Sequence, residues 1–165
     1  MLLINKIENY NLINKNLLSL IEKIPNNFLV EGSDRIFHTD YNLPSSIKRE
    51  YVDYFLQIIQ PSLKLISEKF HAKKIGITKI WFQQYLENNY HGWHVHPSTH
   101  FTNVYFIELP SKNFATQIYQ HEQIDIKEGY LITFPAHWFH RSPLNTSSDR
   151  KTIISFNLDL LDFKD

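Results

Sequence analysis

The stretch Ile75-Gly76-Ile77-Thr78-Lys79-Ile80-Trp81-Phe82-Gln83-Gln84-Tyr85 is where the chain changes its period. Up to Lys74, apolar residues recur about every 3.6 residues; from Ile75 they follow the two-residue alternation of a strand, rich in β-branched and aromatic side chains. The run ends at the turn-forming Glu87-Asn88-Asn89. Downstream, strands are predicted at Trp93–Val95, Thr102–Leu109, Ala115–Tyr119, Tyr130–Phe134, Phe139–Arg141 and Lys151–Leu160. Upstream, Asn14 or Asn16 can cap a helix that ends at Ile24, before Pro25, with Leu17, Leu18, Ile21 and Ile24 on one side. A second helical stretch starts near Ser45 or Ser46. It carries Tyr51, Phe55, Ile58, Ser62, Ile66 and Phe70 on one spacing as far as His71, and Pro61 kinks or splits it.

Helices followed by about seven short strands predict an α+β fold with an antiparallel sandwich or barrel. No repeat or low-complexity linker divides the chain, so one domain is expected over residues 1–165. In it, residues 1–74 are mostly helical support and residues 75–160 form the β core.

Composition removes several function classes. A hydrophobic content of 42% and an aromatic content of 15% suffice for a packed core and argue against disorder. Cysteine is absent, which excludes disulfides, thiolate zinc sites and a cysteine nucleophile, so any metal must take nitrogen or oxygen ligands. The 17 basic and 17 acidic residues cancel, without the basic surplus that phosphate neutralisation asks of a nucleic-acid binder. No apolar run is long enough for a membrane span and no secretory signal is visible, so a cytoplasmic protein is expected.

Histidine is the unusual count, at nine. In His94-Val95-His96, two imidazoles two residues apart on a strand share a face and can converge on one ion. His140, in a separate β segment, can supply a third nitrogen. Three ligands on one side of an ion leave positions open for exogenous groups, as a catalytic metal requires. His91, expected in a loop, His137, out of phase with His140, and His100 compete for the role and are read as neighbours or surface residues.

The order of motifs resembles a known group. Trp81–Tyr85, then Gly92-Trp93-His94-Val95-His96-Pro97, Thr102–Pro110, Gly129–Pro135, His140-Arg141-Ser142-Pro143 and Arg150–Asn157 look like the core of small 2-oxoglutarate- and iron(II)-dependent oxygenases of the prolyl-4-hydroxylase-like type, in an H-x-H-P variant. The resemblance covers about half the chain. It implies a double-stranded β-helix (a cupin-like jelly-roll barrel) with N-terminal helices packed against it. It also implies Fe(2+) as the metal, 2-oxoglutarate as cosubstrate and O2 as oxidant, in a hydroxylase that releases succinate and CO2.

The carry-over makes His94 and His140 metal ligands, with His96 where the wider superfamily has Asp or Glu. A neutral imidazole there raises the charge of the site by one and favours an anionic chelator. The resemblance places a cation for the distal carboxylate at Arg150 or Lys151. Arg150 has the bidentate chemistry, whereas Lys151 has the strand phase, sharing a face with Ile153, Ser155 and Asn157. Tyr85, Thr102 and Phe106 are further candidates for the cosubstrate pocket, with Phe106 standing where many relatives carry tyrosine, and Ser155 and Asn157 join them. Trp93 is a candidate for the substrate pocket, and Trp81 is read as core. The substrate, small or peptidyl, is not specified by the sequence. Two other classes fit the residues: a three-histidine cupin-like enzyme that does not use 2-oxoglutarate, and a non-catalytic β-barrel binding module.

Overall fold

The computed structural model describes residues 1–26 and 35–163. In chain order, its elements are β1 (Leu3–Lys6), α1 (Tyr10–Ile21), β2 (His38–Thr39), α2 (Glu50–Ile58), α3 (Gln60–Lys69), β3 (Ala72–Tyr85), β4 (His91–His94), β5 (Phe101–Glu108), β6 (Gln117–Ile118), β7 (Tyr130–Pro135), β8 (His140–Ser142) and β9 (Lys151–Phe163). The strands pair antiparallel in two sheets among the described residues: a larger one in the order β1-β7-β5-β9-β3-β2 and a smaller one in the order β4-β8-β6. This is an α+β architecture on a double-stranded β-helix.

The larger sheet is covered on both faces, which explains why its central strands are almost continuously apolar. Alternation sorts their side chains. Tyr105 and Ile107 of β5, Ile154, Phe156 and Leu158 of β9, and Ile80 and Phe82 of β3 face the helices, meeting Leu17 and Ile21 of α1, Tyr51 and Phe55 of α2, and Leu63 and Ile66 of α3. On the opposite face, Tyr85, Val104, Phe106, Ile132, Phe134 and Ile153 pack inside the barrel with Ala115, Ile118, Ile124 and Ile126. Burying one such large side chain stabilises the fold by about 1.5–3 kcal/mol. Asp40 ties the helical layer to the sheet: it accepts from Tyr51 Oη at 2.6 Å and from the Phe82 amide at 2.9 Å. Burial raises its pKa against the lowering effect of those bonds.

Several boundaries differ from the sequence reading. The first half is not only helical, because β1 extends the larger sheet beside β7 and β2 pairs with β3. Helix α1 begins at Tyr10 and ends at Ile21, so Asn14 lies inside it and caps nothing. Its buried amide instead donates to Ile107 O at 2.8 Å and accepts from Tyr105 Oη at 2.6 Å, fastening the helix to β5. Ser45 and Ser46 lie in a turn ahead of α2, which starts at Glu50. The break at Pro61 is present: α2 stops at Ile58, and Pro61 sits in the first turn of α3, where its missing N–H is harmless. No helix among the described residues is long and apolar enough to cross a membrane.

Candidate metal centre

His94 and His140 are cross-strand partners in the β4–β8 ladder, which sets their rings 4.2 Å apart, centroid to centroid. His96 lies just beyond the end of β4, where its amide donates to Ala136 O at 2.9 Å. That bond turns its ring to within 5.2 Å of His94 and 5.0 Å of His140. One ring nitrogen from each residue lies within 4.8 Å of the other two. No carboxylate accompanies them in this cluster among the described residues.

Each ring is oriented through Nδ1. The His94 nitrogen lies 2.8 Å from Gly92 O, and that of His140 lies 2.9 Å from Trp138 O. A carbonyl can only accept, so Nδ1 carries the proton and Nε2 becomes the lone-pair nitrogen in a neutral ring. His96 Nδ1 is held by Asn157 Oδ1 at 2.7 Å and lies 3.0 Å from Thr102 Oγ1. Fixing the outer nitrogen in this way is how metal-binding histidines are aimed. Burial lowers the pKa of His96 to about 4 and of His140 to about 3, with the neighbouring His94 pushing the same way. Both rings are therefore neutral near pH 7 and able to donate to a cation.

Two spaces meet at the triad. An outer cleft of about 420 Å³ is lined by Thr39, Tyr41, Lys79, Trp81, Gln83 and His91 together with His94 and His96. A small inner chamber of about 20 Å³ runs along Tyr85, Ser142, Ile153, Ser155 and His140.

The remaining sequence candidates fall in distinct places. Lys151 is completely buried. Its Nζ donates to Phe114 O and Ser142 Oγ, each at 2.6 Å, and lies 5.0 Å from the centre of the Tyr85 ring. Burial alone pulls its pKa down to about 7. Arg150 points to the other side of the strand, where it holds Glu108 at 2.8 Å and Glu22 at 3.1 Å. Its guanidinium is therefore engaged with carboxylates of the chain itself, and of the two Lys151 is the basic side chain that enters the barrel. Thr102 and Asn157 contact His96, and Phe106 is packed in the barrel interior.

Trp93 is 43% exposed and is not part of either space's lining. It points away from its neighbour His94, under the Arg141 guanidinium at 4.6 Å and edge-on to Tyr119. Trp81, read as core, is buried but forms part of the cleft wall, 5.5 Å from His96. His91, placed in a loop by sequence, opens β4 and stacks on His94 with ring centres 3.8 Å apart. His137 is exposed, and His100 pairs with Asp159 at 3.0 Å. Lys79, Trp81 and Gln83 were missed as pocket residues although they share the parity of Tyr85 on β3, which was the available signal.

No protein-family model matches the chain, and no curated protein sequence does. Solved structures do. The viral collagen prolyl hydroxylase of Paramecium bursaria Chlorella virus-1, in its 2OG complex, superimposes with a TM-score of 0.65 at 15% identity, covering 96% of each chain. A 2OG-Fe(II) oxygenase family oxidoreductase from Burkholderia pseudomallei gives 0.66 at 11% identity, covering 98% of this chain and 85% of its own. A prolyl hydroxylase from Trichoplax adhaerens, in complex with a hypoxia inducible factor peptide fragment, gives 0.66 at 14% identity, covering 96% of this chain and 83% of its own. The chain thus has the fold of the small prolyl-hydroxylase-like 2-oxoglutarate and iron(II) oxygenases.

Proposed function

We propose that this chain is a non-haem iron(II), 2-oxoglutarate-dependent dioxygenase that hydroxylates a small or peptidyl substrate in the cytoplasm, acting over residues 1–165 as one domain. The observation that carries the reading is the convergence of His94, His96 and His140 between an open cleft and a barrel interior that contains the buried Lys151 amine. The donor set fits a divalent transition metal: three imidazoles, each with Nδ1 held by a protein oxygen, which makes Nε2 the candidate ligand atom. Lys151 fits the distal carboxylate of the cosubstrate. It is a buried lysine, drawn down to about 7, whose hydrogen-bond partners among the described residues are a hydroxyl and a carbonyl, and an incoming carboxylate would favour its protonated form.

When bound, iron and 2-oxoglutarate supply the oxidation, with succinate and CO2 as coproducts, and no side chain need serve as acid or base. The chain's own work is to fix the three rings through Gly92 O, Trp138 O and Asn157, to neutralise the cosubstrate with Lys151, and to present substrate along the Trp81 wall. An all-imidazole site carries one more positive charge than a site with a carboxylate, which strengthens its hold on an anionic chelator.

A second reading has two observations in its favour. The inner chamber has room for roughly one water, and the metal-binding cluster lacks a carboxylate among the described residues. Both suit a three-histidine enzyme that binds its substrate directly in the outer cleft. Anaerobic titration of the iron(II) protein with 2-oxoglutarate separates the two. The proposal expects a visible charge-transfer band, then succinate and CO2 release in air with ascorbate, both lost in His140→Ala. Tight iron binding with neither band nor succinate in the wild type refutes it and leaves the second reading.

A further inference from the structure

Among the described residues, the outer cleft carries one ammonium and no carboxylate. Lys79 lines it, with Nζ 3.1 Å from the centre of the Tyr41 ring and 6.0 Å from that of Trp81. Among the described residues, it has these aromatic faces as neighbours and no ion pair or hydrogen bond to an acid. Among the described residues, no Asp or Glu lines the cleft, whose wall combines Ile36, Trp81, Val95 and Pro97 with the histidines and with neutral polar groups such as Thr39 and Gln83. Lys79 sits on the same face of β3 as Trp81 and Gln83, and a break in register against β9 follows at Ile77/Lys79. It is therefore the last residue of the site-facing series, at the end of the cleft beyond Trp81. A volume of about 420 Å³ lies at the lower end of the range for small-molecule sites.

We propose that this cleft selects a small substrate bearing a carboxylate, which Lys79 takes while the apolar body lies on Trp81 and Pro97 and reaches His96. The inference rests on the oxygenase reading for the fate of the ligand, but not for its binding. An ammonium over an aromatic face is attracted by the ring and retains donors for an incoming anion. The described part of the wall disfavours free amines and amino acids, because a ligand ammonium would face Lys79 and find no acid among the described lining residues. Apolar burial on Trp81 gives affinity, and the single charge gives selection.

The test uses isothermal calorimetry with a series of straight-chain, branched and aryl alkanoic acids of three to nine carbons and their primary amides. The wild type is expected to bind at least one acid ten times or more tighter than its amide. Lys79→Gln is expected to bring the pair to within twofold, and Lys79→Arg to restore the preference. The proposal is overturned if no acid outbinds its amide, or if Lys79→Gln keeps the preference. It is also overturned if Lys79→Gln weakens 2-oxoglutarate as much as the acid, since Lys79 would then anchor the cosubstrate. Succinate formation by the wild type reports on the oxygenase reading separately. Its absence beside a Lys79-dependent acid preference would sink that reading and leave this site standing.

Discussion

Replacing Lys151 by Met is expected to make the metal-free protein more stable at pH 7 while abolishing its use of 2-oxoglutarate. Lys151 is fully buried and held at about 7, against an ordinary 10.5. At pH 7, that depression costs the fold about 4 kcal/mol, because the unfolded chain keeps its ammonium in water. Met removes this cost but leaves Ser142 Oγ and Phe114 O without their donor, a loss of about 1–2 kcal/mol each when buried. The net expectation at pH 7 is a gain of about 1 kcal/mol.

The sign reverses with pH. A lysine whose folded value is depressed binds fewer protons folded than unfolded between 7 and 10.5, so wild-type stability rises across that window. The variant lacks that component. Urea unfolding at pH 7, 8.5 and 10 should therefore show the two curves crossing, with the wild type more stable at pH 10. Affinity for 2-oxoglutarate, read from the charge-transfer band, should fall 100-fold or more in Lys151→Met and stay within twofold in Arg150→Gln. Parallel pH profiles for wild type and Lys151→Met would refute the argument, as would a larger affinity loss in Arg150→Gln.

The metal-free protein should also lose stability on acidification. His96 and His140 lie below their ordinary 6.5, at about 4 and about 3, so the stability they confer is complete above 6.5 and is lost as pH falls toward those values. Each ring contributes a slope of up to about 1.4 kcal/mol per pH unit. The urea midpoint should drop between pH 6.5 and 4.5 and drop much less in the His96→Gln/His140→Gln double variant; equal drops would show that the rings are not desolvated. Gly129 has φ 80°, and a Cβ there would lie 2.3 Å from Tyr10 Cγ at the start of α1. Gly129→Ala should cost roughly 2 kcal/mol or more, lowering the melting temperature, whereas an unchanged melting temperature would mean that α1 shifts freely.

The fold was readable from sequence because the change of period at Ile75 is long and uninterrupted, and because β5 and β9 carry side chains that suit both faces of a covered sheet. The triad was readable from spacing plus order, although the phase argument holds for His94 rather than His96. His96 leaves the strand and is turned back by the Ala136 carbonyl, a tertiary contact that no local pattern encodes. Lys151 shares strand phase with Ser155 and Asn157, and that phase put its side chain inside the barrel while Arg150 met Glu108. What stayed hidden was long-range. Asn14 looks like a cap until β5 offers it a carbonyl and a hydroxyl. Trp81 looks like core because a buried cleft wall and a packed interior draw on the same aromatic residues. His91 looks like loop because the turn after β3 is tight and β4 short.

The three imidazoles differ in what fixes their aim. Main-chain oxygens of Gly92 and Trp138 hold two of them, and no point substitution deletes a peptide carbonyl. The third leans on the Asn157 amide and the Thr102 hydroxyl, both replaceable by a single codon change. On the proposed reading, the positions through which metal preference or reactivity could drift by substitution are therefore 102 and 157. If the proposed metal is confirmed, an engineer seeking to retune it should begin there and leave the three histidines alone.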